Sequence, residues 1–366
     1  MKTLTFTLVL AATALYGQTQ YEAIPLTAPP DRAWAEGRAI NVRGEVVGDY
    51  WYNDFKGHAG FVYEPDSCKL IDLGTLGGRF SMATGINDSG LVVGISENKL
   101  WENHGFSYSY GVMQDLGGEE WASFEAWGVN NLGHAAGFLS LAGNSALMFT
   151  PGQAPPLRYL PKFDGVNVEK LMAINDADHG VTYQKRSNGD IWGVYYFLSD
   201  LPGWHAAYQI QPVPADPRVR GLERGTKPTA INQYGEVAGI AGITTTHAFF
   251  SPSFNKPAID LGTLDPGNPS LNSEARGLNN NGLIVGWSQR TNVAGRTAFL
   301  YDGTTMIDLN TRLIDPTDWQ LMEANAINDK GQIVGTGLYK GEQVAFLLLP
   351  KLHPSDPPHV CLAGNK

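Results

Sequence analysis

The chain has 366 residues, 26 Lys plus Arg against 36 Asp plus Glu, a net charge of −10, and only 17% charged residues. An acidic chain without a basic cluster argues against nucleic acid and against anionic membrane surfaces as partners. Glycine, at 43 residues, stands well above the usual share of about 7%, which suits many short strands joined by tight turns.

In chain order, Met1-Lys2 and the apolar stretch Leu4 to Tyr16 read as a secretory signal. Cleavage fits after Ala14 or after Gly17; residues 1–17 are taken as the signal. The stretch is shorter than the roughly 20 apolar residues of a membrane span. The expected location is therefore secreted, extracellular or periplasmic, without membrane insertion. Tyr21 to Leu26 is the first strand candidate. From Ile40 onward a pattern of apolar residue, Asn, two variable residues and Gly recurs. It reads Ile40-Asn41-Val42-Arg43-Gly44, Ile86-Asn87-Asp88-Ser89-Gly90, Val129-Asn130-Asn131-Leu132-Gly133, Ile231-Asn232-Gln233-Tyr234-Gly235, Leu278-Asn279-Asn280-Asn281-Gly282 and Ile327-Asn328-Asp329-Lys330-Gly331. A seventh copy, Ile174-Asn175, is degenerate, with its Gly two residues late at Gly180. Steps of 43 to 57 residues between these Asn residues match the period of a propeller blade.

The first repeat shows what one period contains. Arg38 to Ile40 is a short strand and Asn41 to Gly44 a turn. Glu45 to Tyr50, His58 to Tyr63 and Leu70 to Leu73 are three further strands. A type I turn favours Asn at its first position and Gly at its fourth, and the Asn side chain accepts from the backbone two residues on. The turn Asn residues thus need no ligand to explain them. Four strands per period predict an all-β fold: a seven-bladed β-propeller of four-stranded antiparallel blades over residues 18–350, followed by a tail, 351–366. The last repeat supplies only three strands, up to Ile327, then Gln332 to Thr336, then Val344 to Leu349. Tyr21 to Leu26 is placed to complete it as the outer strand and close the ring; Pro25 is acceptable on such an edge.

The third strand recurs as His58-Ala59-Gly60-Phe61, His104-Gly105-Phe106, His247-Ala248-Phe249-Phe250, Thr297-Ala298-Phe299 and Val344-Ala345-Phe346. The fourth recurs as Asp72-Leu73-Gly74-Thr75-Leu76, Asp115-Leu116-Gly117, Asp260-Leu261-Gly262-Thr263-Leu264 and Asp308-Leu309. In this combination and order, from about Ala39 to Leu349, the chain resembles the HAF-type extracellular repeat family, named for His-Ala-Phe. The resemblance implies a secreted bacterial propeller-like protein and carries over no catalytic residue. The fourth repeat departs most, with Trp192 to Phe197 where His-Ala-Phe belongs. The His of the third strand is read as a strand-edge residue with a local hydrogen bond rather than a metal ligand.

No catalytic signature appears: no His-Glu-x-x-His, Gly-x-Ser-x-Gly, P-loop or Cys-x-x-Cys. Gly335-Thr336-Gly337 with Gly341 is a weak phosphate-loop echo, read as a turn. No cofactor is expected. Asn175-Asp176-Ala177-Asp178-His179-Gly180 begins as a calcium loop does, which makes Asp176 and Asp178 the metal candidates, but the later ligands are missing. Five residues before each turn Asn stand Glu36, Met82, Glu125, Lys170, Lys227, Glu274 and Glu323. On innermost strands they should ring the mouth of a central channel. Trp51, Trp101 and Trp121 lie on loops of the same face, where aromatic residues serve recognition. Glu36, Glu125, Glu274, Glu323, Trp51, Trp101 and Trp121 are therefore the ligand-binding candidates.

Two functions fit. One is a monomeric secreted module that binds an extracellular polysaccharide, cell-envelope component or protein. The other is a secreted polysaccharide hydrolase or lyase using mouth carboxylates, which requires a pair about 5–9 Å apart. The two Cys residues, Cys68 and Cys361, are expected to pair, because an exported chain with an even Cys count meets an oxidising compartment. The turn holding Cys68 and the tail should lie on one face, within reach of each other once the ring closes.

Overall fold

Alternation of buried and half-exposed residues, as over residues 80–85, is what a strand in a packed sheet requires. The computed structural model describes residues 19–27, 29, 32–53, 57–117, 123–140, 145–151, 157–198, 206–351, 357, 359 and 361. The expected signal at 1–17, Trp121 and most of the tail lie outside them. After β1 (Gln20–Leu26), the strands come in groups of four. The first holds β2 (Arg32–Ile40), β3 (Val46–Tyr52), β4 (His58–Glu64) and β5 (Lys69–Asp72), and the second β6 (Gly77–Ile86), β7 (Val92–Asn98), β8 (Asn103–Ser109) and β9 (Val112–Asp115). The third holds β10 (Ser123–Val129), β11 (Ala135–Ser140), β12 (Ser145–Phe149) and β13 (Leu157–Tyr159), and the fourth β14 (Ala173–Ile174), β15 (His179–Lys185), β16 (Ile191–Phe197) and β17 (Ala206–Gln209). The fifth holds β18 (Thr226–Ile231), β19 (Val237–Ala241), β20 (His247–Ser251) and β21 (Ile259–Gly262), and the sixth β22 (Ser273–Leu278), β23 (Ile284–Arg290), β24 (Val293–Tyr301) and β25 (Met306–Asp308). Each group is an antiparallel meander, the first two being bridged by one parallel pair, His58 with Phe80.

The last sheet differs. β26 (Trp319–Ile327), β27 (Ile333–Tyr339) and β28 (Glu342–Lys351) are its sequential strands, and β1 fills the fourth place in the order β1–β28–β27–β26. The register runs from Gln20 opposite Lys351 to Leu26 opposite Ala345. Apolar side chains pack between each sheet and the next. Between the last and the first, Val334, Ala345 and Leu347 meet Val46, Tyr50 and Phe61. The core is thus divided among the interfaces between sheets, which is why each period carries its own share of buried residues.

The Asn turns explain the tight inner geometry. In all seven, the Asn side-chain oxygen accepts from the backbone N–H two and four residues on, as in Asn279, which accepts from Asn281 and Leu283 at 3.0 Å each. The side-chain NH2 goes further, donating to the main-chain carbonyl of the turn Asn in the following sheet. Asn41 reaches Asn87, Asn87 reaches Asn130, Asn130 reaches Asn175, and Asn175 reaches Asn232. Asn232 reaches Asn279, Asn279 reaches Asn328, and Asn328 returns to Asn41 at 2.8 Å. A second series follows it. The backbone N–H of Asn131 donates to Asp176 Oδ1 at 2.7 Å and that of Asn280 to Asp329 Oδ1 at 2.8 Å.

Three sequence expectations need correction. The fourth turn is regular, because Asp178 rather than Gly180 takes the left-handed position, at φ 54°, and its N–H closes the turn to the Asn175 carbonyl. The inner strand of the first sheet is nine residues long, from Arg32, not three. Gly335 to Gly337 lie inside β27, and only Gly341, at φ 85°, is in a turn. Gly335 is required there by close approach, since a Cβ would strike the Glu323 carbonyl and the Phe346 ring.

Candidate functional site

Residues at alternate positions of a strand share a face, so the residues five and three places before each turn Asn should point together along the inner strands. They do so around a cavity of about 360 Å³. Glu36, Lys227, Glu274 and Glu323 come from the first set. Arg38, Thr84, Trp127, Met172, Thr229, Arg276 and Asn325, the complete second set, also line it. The small residues between the two sets, such as Ala83, Ala126, Ala275 and Ala324, are buried and let neighbouring inner strands approach.

Every candidate carboxylate is already held. Glu36 Oε2 accepts from Arg38 at 2.9 Å, and Arg38 also donates to the buried Asp49 at 2.5 Å. Glu125, next to the cavity, accepts from Lys170 at 2.8 Å and from the Trp127 indole N–H at 3.1 Å. Glu274 accepts from Arg276 at 3.2 Å and from the Trp287 indole N–H at 3.1 Å. Glu323 pairs with Arg296, and Arg276 lies 3.8 Å from it. Burial pushes the Glu36 carboxyl above its usual value; Asp49 and Glu323 add to this, while Arg38 opposes it. Asp49 moves the other way. Burial alone would raise it, but His58 and Arg38 together hold it below the usual carboxylate range.

The Thr and Asn members of the second set tie adjacent inner strands. Thr84 donates to the Ala126 carbonyl at 2.8 Å, Thr229 to that of Ala275 at 2.9 Å, and the Asn325 side-chain NH2 to that of Gly37 at 2.8 Å. Asn325 Oδ1 is buried and has no partner among the described residues.

The aromatic candidates divide differently from expectation. Trp51 stacks on His58, centroids 4.4 Å apart, and Trp101 is 59% exposed beneath the Arg79 guanidinium at 4.8 Å. Neither lines the cavity. Trp127 lines the cavity and Trp287 donates to its Glu274, with Lys170 and Arg296 stacked on these two indoles at 4.2 and 4.3 Å. Sequence reasoning passed over them, and over Arg38 and Arg276. The signal was present: the period-2 partner of each ring Glu is the residue two places on, and Trp287 sits opposite Glu274 in the register.

Asp176 and Asp178 point to different partners. Asp176 accepts from Asn131, while Asp178 accepts from the Asn130 side chain and pairs with His134, each at 2.8 Å. Among the described residues no group of three His, Cys, Asp or Glu is arranged to hold a metal ion. The His of the third strand makes local bonds: His104 to Asp115 at 2.9 Å and His247 to Asp260 at 3.0 Å, both in the adjacent fourth strand, and His58 to Asp49. Cys68 and Cys361 form a disulfide, with Cα atoms 5.5 Å apart.

Residues 224–348 match a family model described as a protein of unknown function, DUF3466. No curated protein sequence matches the chain. A puromycin-hydrolyzing peptidase from Mycobacterium tuberculosis is similar in structure with a TM-score of 0.53 at 10% identity, over 90% of this chain and 50% of that one. A structure of prolyl endopeptidases is similar with a TM-score of 0.51 at 11% identity, over 90% and 56%. The fold is all-β and propeller-like. TolB from Acinetobacter baumannii is also similar, with a TM-score of 0.44 at 9% identity, over 84% and 64%. The chain spans about half to two-thirds of the length of these proteins, and at such identity the likeness concerns fold alone. Among the described residues no helix is long and apolar enough to cross a membrane.

Proposed function

We propose that residues 18–350 close as a seven-bladed β-propeller of the HAF-type extracellular kind, and that it acts as a secreted, monomeric binding module for an extracellular polysaccharide, a cell-envelope component or a protein. The closed series of Asn bonds supports the ring, and the disulfide supports an oxidising location. The observation that carries the binding reading is the state of the mouth carboxylates. Each accepts from at least one cation, so the rim is a rigid, pre-organised polar surface rather than one holding a free base. A second reading, hydrolysis or cleavage of a polysaccharide, is favoured by one feature: burial raises Glu36, as a general acid requires.

The test is a glycan array and polysaccharide pull-down with the mature protein, with and without calcium chelation. Retention of one class of polymer, lost on Ala substitution of Glu36, Glu125, Glu274 or Glu323, is the expected result. Ala at Trp51, Trp101 or Trp121 reports whether the surrounding loops take part. Retained binding in all of these variants would remove the mouth as the site, and shortening of the captured polymer would favour the hydrolytic reading.

A further inference from the structure

The charged side chains lining the mouth cavity are ion-paired except at one place. Lys227 lines it, yet among the described residues no carboxylate lies at ion-pair distance from its ammonium. Its Nζ stands 5.2 Å from the centroid of the Tyr183 ring, a cation–π contact. The neighbouring cations are committed: Lys170 to Glu125, and Arg276 between Glu274 and Glu323. Burial makes the charged form of Lys227 harder to hold; Glu274 eases this, while Arg276, Lys185 and Lys170 add to it. An ammonium kept in such a place without a counter-ion attracts an anion. A cation entering the same cavity would have to displace the Arg and Lys groups that already occupy the carboxylates.

Trp127 and Ile240 provide apolar wall in the same cavity. A small ring that carries a carboxylate fits both features. We propose that the mouth cavity binds an acidic sugar unit of the uronate class, its carboxylate paired with Lys227. This rests on the mouth-binding reading above and names its ligand class.

The probes are sodium D-glucuronate, tri-galacturonate, neutral glucose and the acetylated dipeptide Ac-Ala-Ala, titrated calorimetrically into the mature protein and its Lys227→Gln and Lys227→Arg variants, with thermal melting as the check on folding. The expected result is that a uronate binds and glucose does not, that added salt weakens binding, and that Lys227→Gln loses about tenfold or more, the scale of one hydrogen bond to a charged group. Lys227→Arg, which keeps the charge, should retain most of the affinity. Uronate binding that is absent, equal to that of glucose, or unchanged in a folded Lys227→Gln protein overturns the inference, as does binding of the dipeptide alone. If neutral polymers are still retained and lost in Glu274→Ala, the mouth reading stands without the acidic-sugar assignment. If nothing is retained by any mouth, both fall.

Discussion

At the residue scale, the turn Asn does two jobs with one amide. Its oxygen shapes the turn and its NH2 bonds the next sheet. Asn279 is 3% exposed and donates to the Asn328 carbonyl at 2.9 Å. Asn279→Asp keeps the acceptor but sets a carboxylate oxygen against a carbonyl oxygen in a buried place. We expect a loss of about 2–3 kcal/mol in urea unfolding, with the turn itself intact; a loss below experimental error would show that the intersheet bond carries no stability. Asp49 gives a pH prediction. Its folded pKa lies below the ordinary 3.8 because His58 and Arg38 hold the carboxylate. A depressed carboxyl contributes stability that is complete above its unfolded value and lost as pH falls through the folded one. The wild-type protein should therefore lose stability below about pH 4 more steeply than Asp49→Asn, while at pH 7 Asp49→Asn should be the less stable of the two. Denaturant melts across this range, showing parallel curves for the two proteins, would contradict the assignment.

At the element scale, strand existence was legible because hydrophobic alternation and turn chemistry agreed in each period. Val46-Val47-Gly48 after Asn41 and Phe61 after His58 mark adjacent strands, and Gly48 stands opposite Phe61 in the register. What was not legible is instructive. The inner strand of the first sheet was read as three residues because Glu36 and Arg38 line the cavity and spoil a simple apolar alternation. Asp178 was missed as the turn residue because the left-handed position normally favours Gly. An Asp can hold it here, its carboxylate being engaged by Asn130 and His134. The Glu ring was legible from spacing. Its neutralisation by Arg38 and Arg276 could be read from the residue two places on in the same strand, but that of Glu323 by Arg296 could not, because Arg296 comes from β24. The most exposed consequence concerns β1. Tyr21, Ile24 and Leu26 are buried against the last sheet, and seven residues pair with β28. With the Cys68–Cys361 bond reduced in both proteins, deleting residues 18–27 should lower the melting temperature far more than deleting the chain after Pro354. Equal effects would mean that the outer strand is dispensable.

At the scale of the whole molecule, one sheet joins the two ends of the chain, and this junction is a seam that the chain does not bridge by simple continuation. Here β1, β28 and the disulfide all meet at it. Cys361 follows β28, and Cys68 sits in the turn between β4 and β5 of the first sheet, with Tyr63 donating to the Cys361 sulfur at 3.0 Å. Lys351 and Glu22 form an ion pair at 2.8 Å across the same seam, both largely buried. A bond spanning 293 residues restricts the unfolded chain by several kcal/mol, about 6 on the loop-entropy model. Its native-state effect is confined to the seam. Independent, distant changes add, whereas changes acting on one junction couple. We therefore expect the double cycle of Cys68→Ser with Lys351→Ala to be non-additive by more than about 0.5 kcal/mol, while Cys68→Ser with Asn130→Ala, whose side chain bonds to Asn175 and Asp178 and shares no partner with the disulfide, should add. Additive behaviour in both cycles would separate the disulfide from the closing strand and leave β1 to hold the seam by its backbone pairing alone.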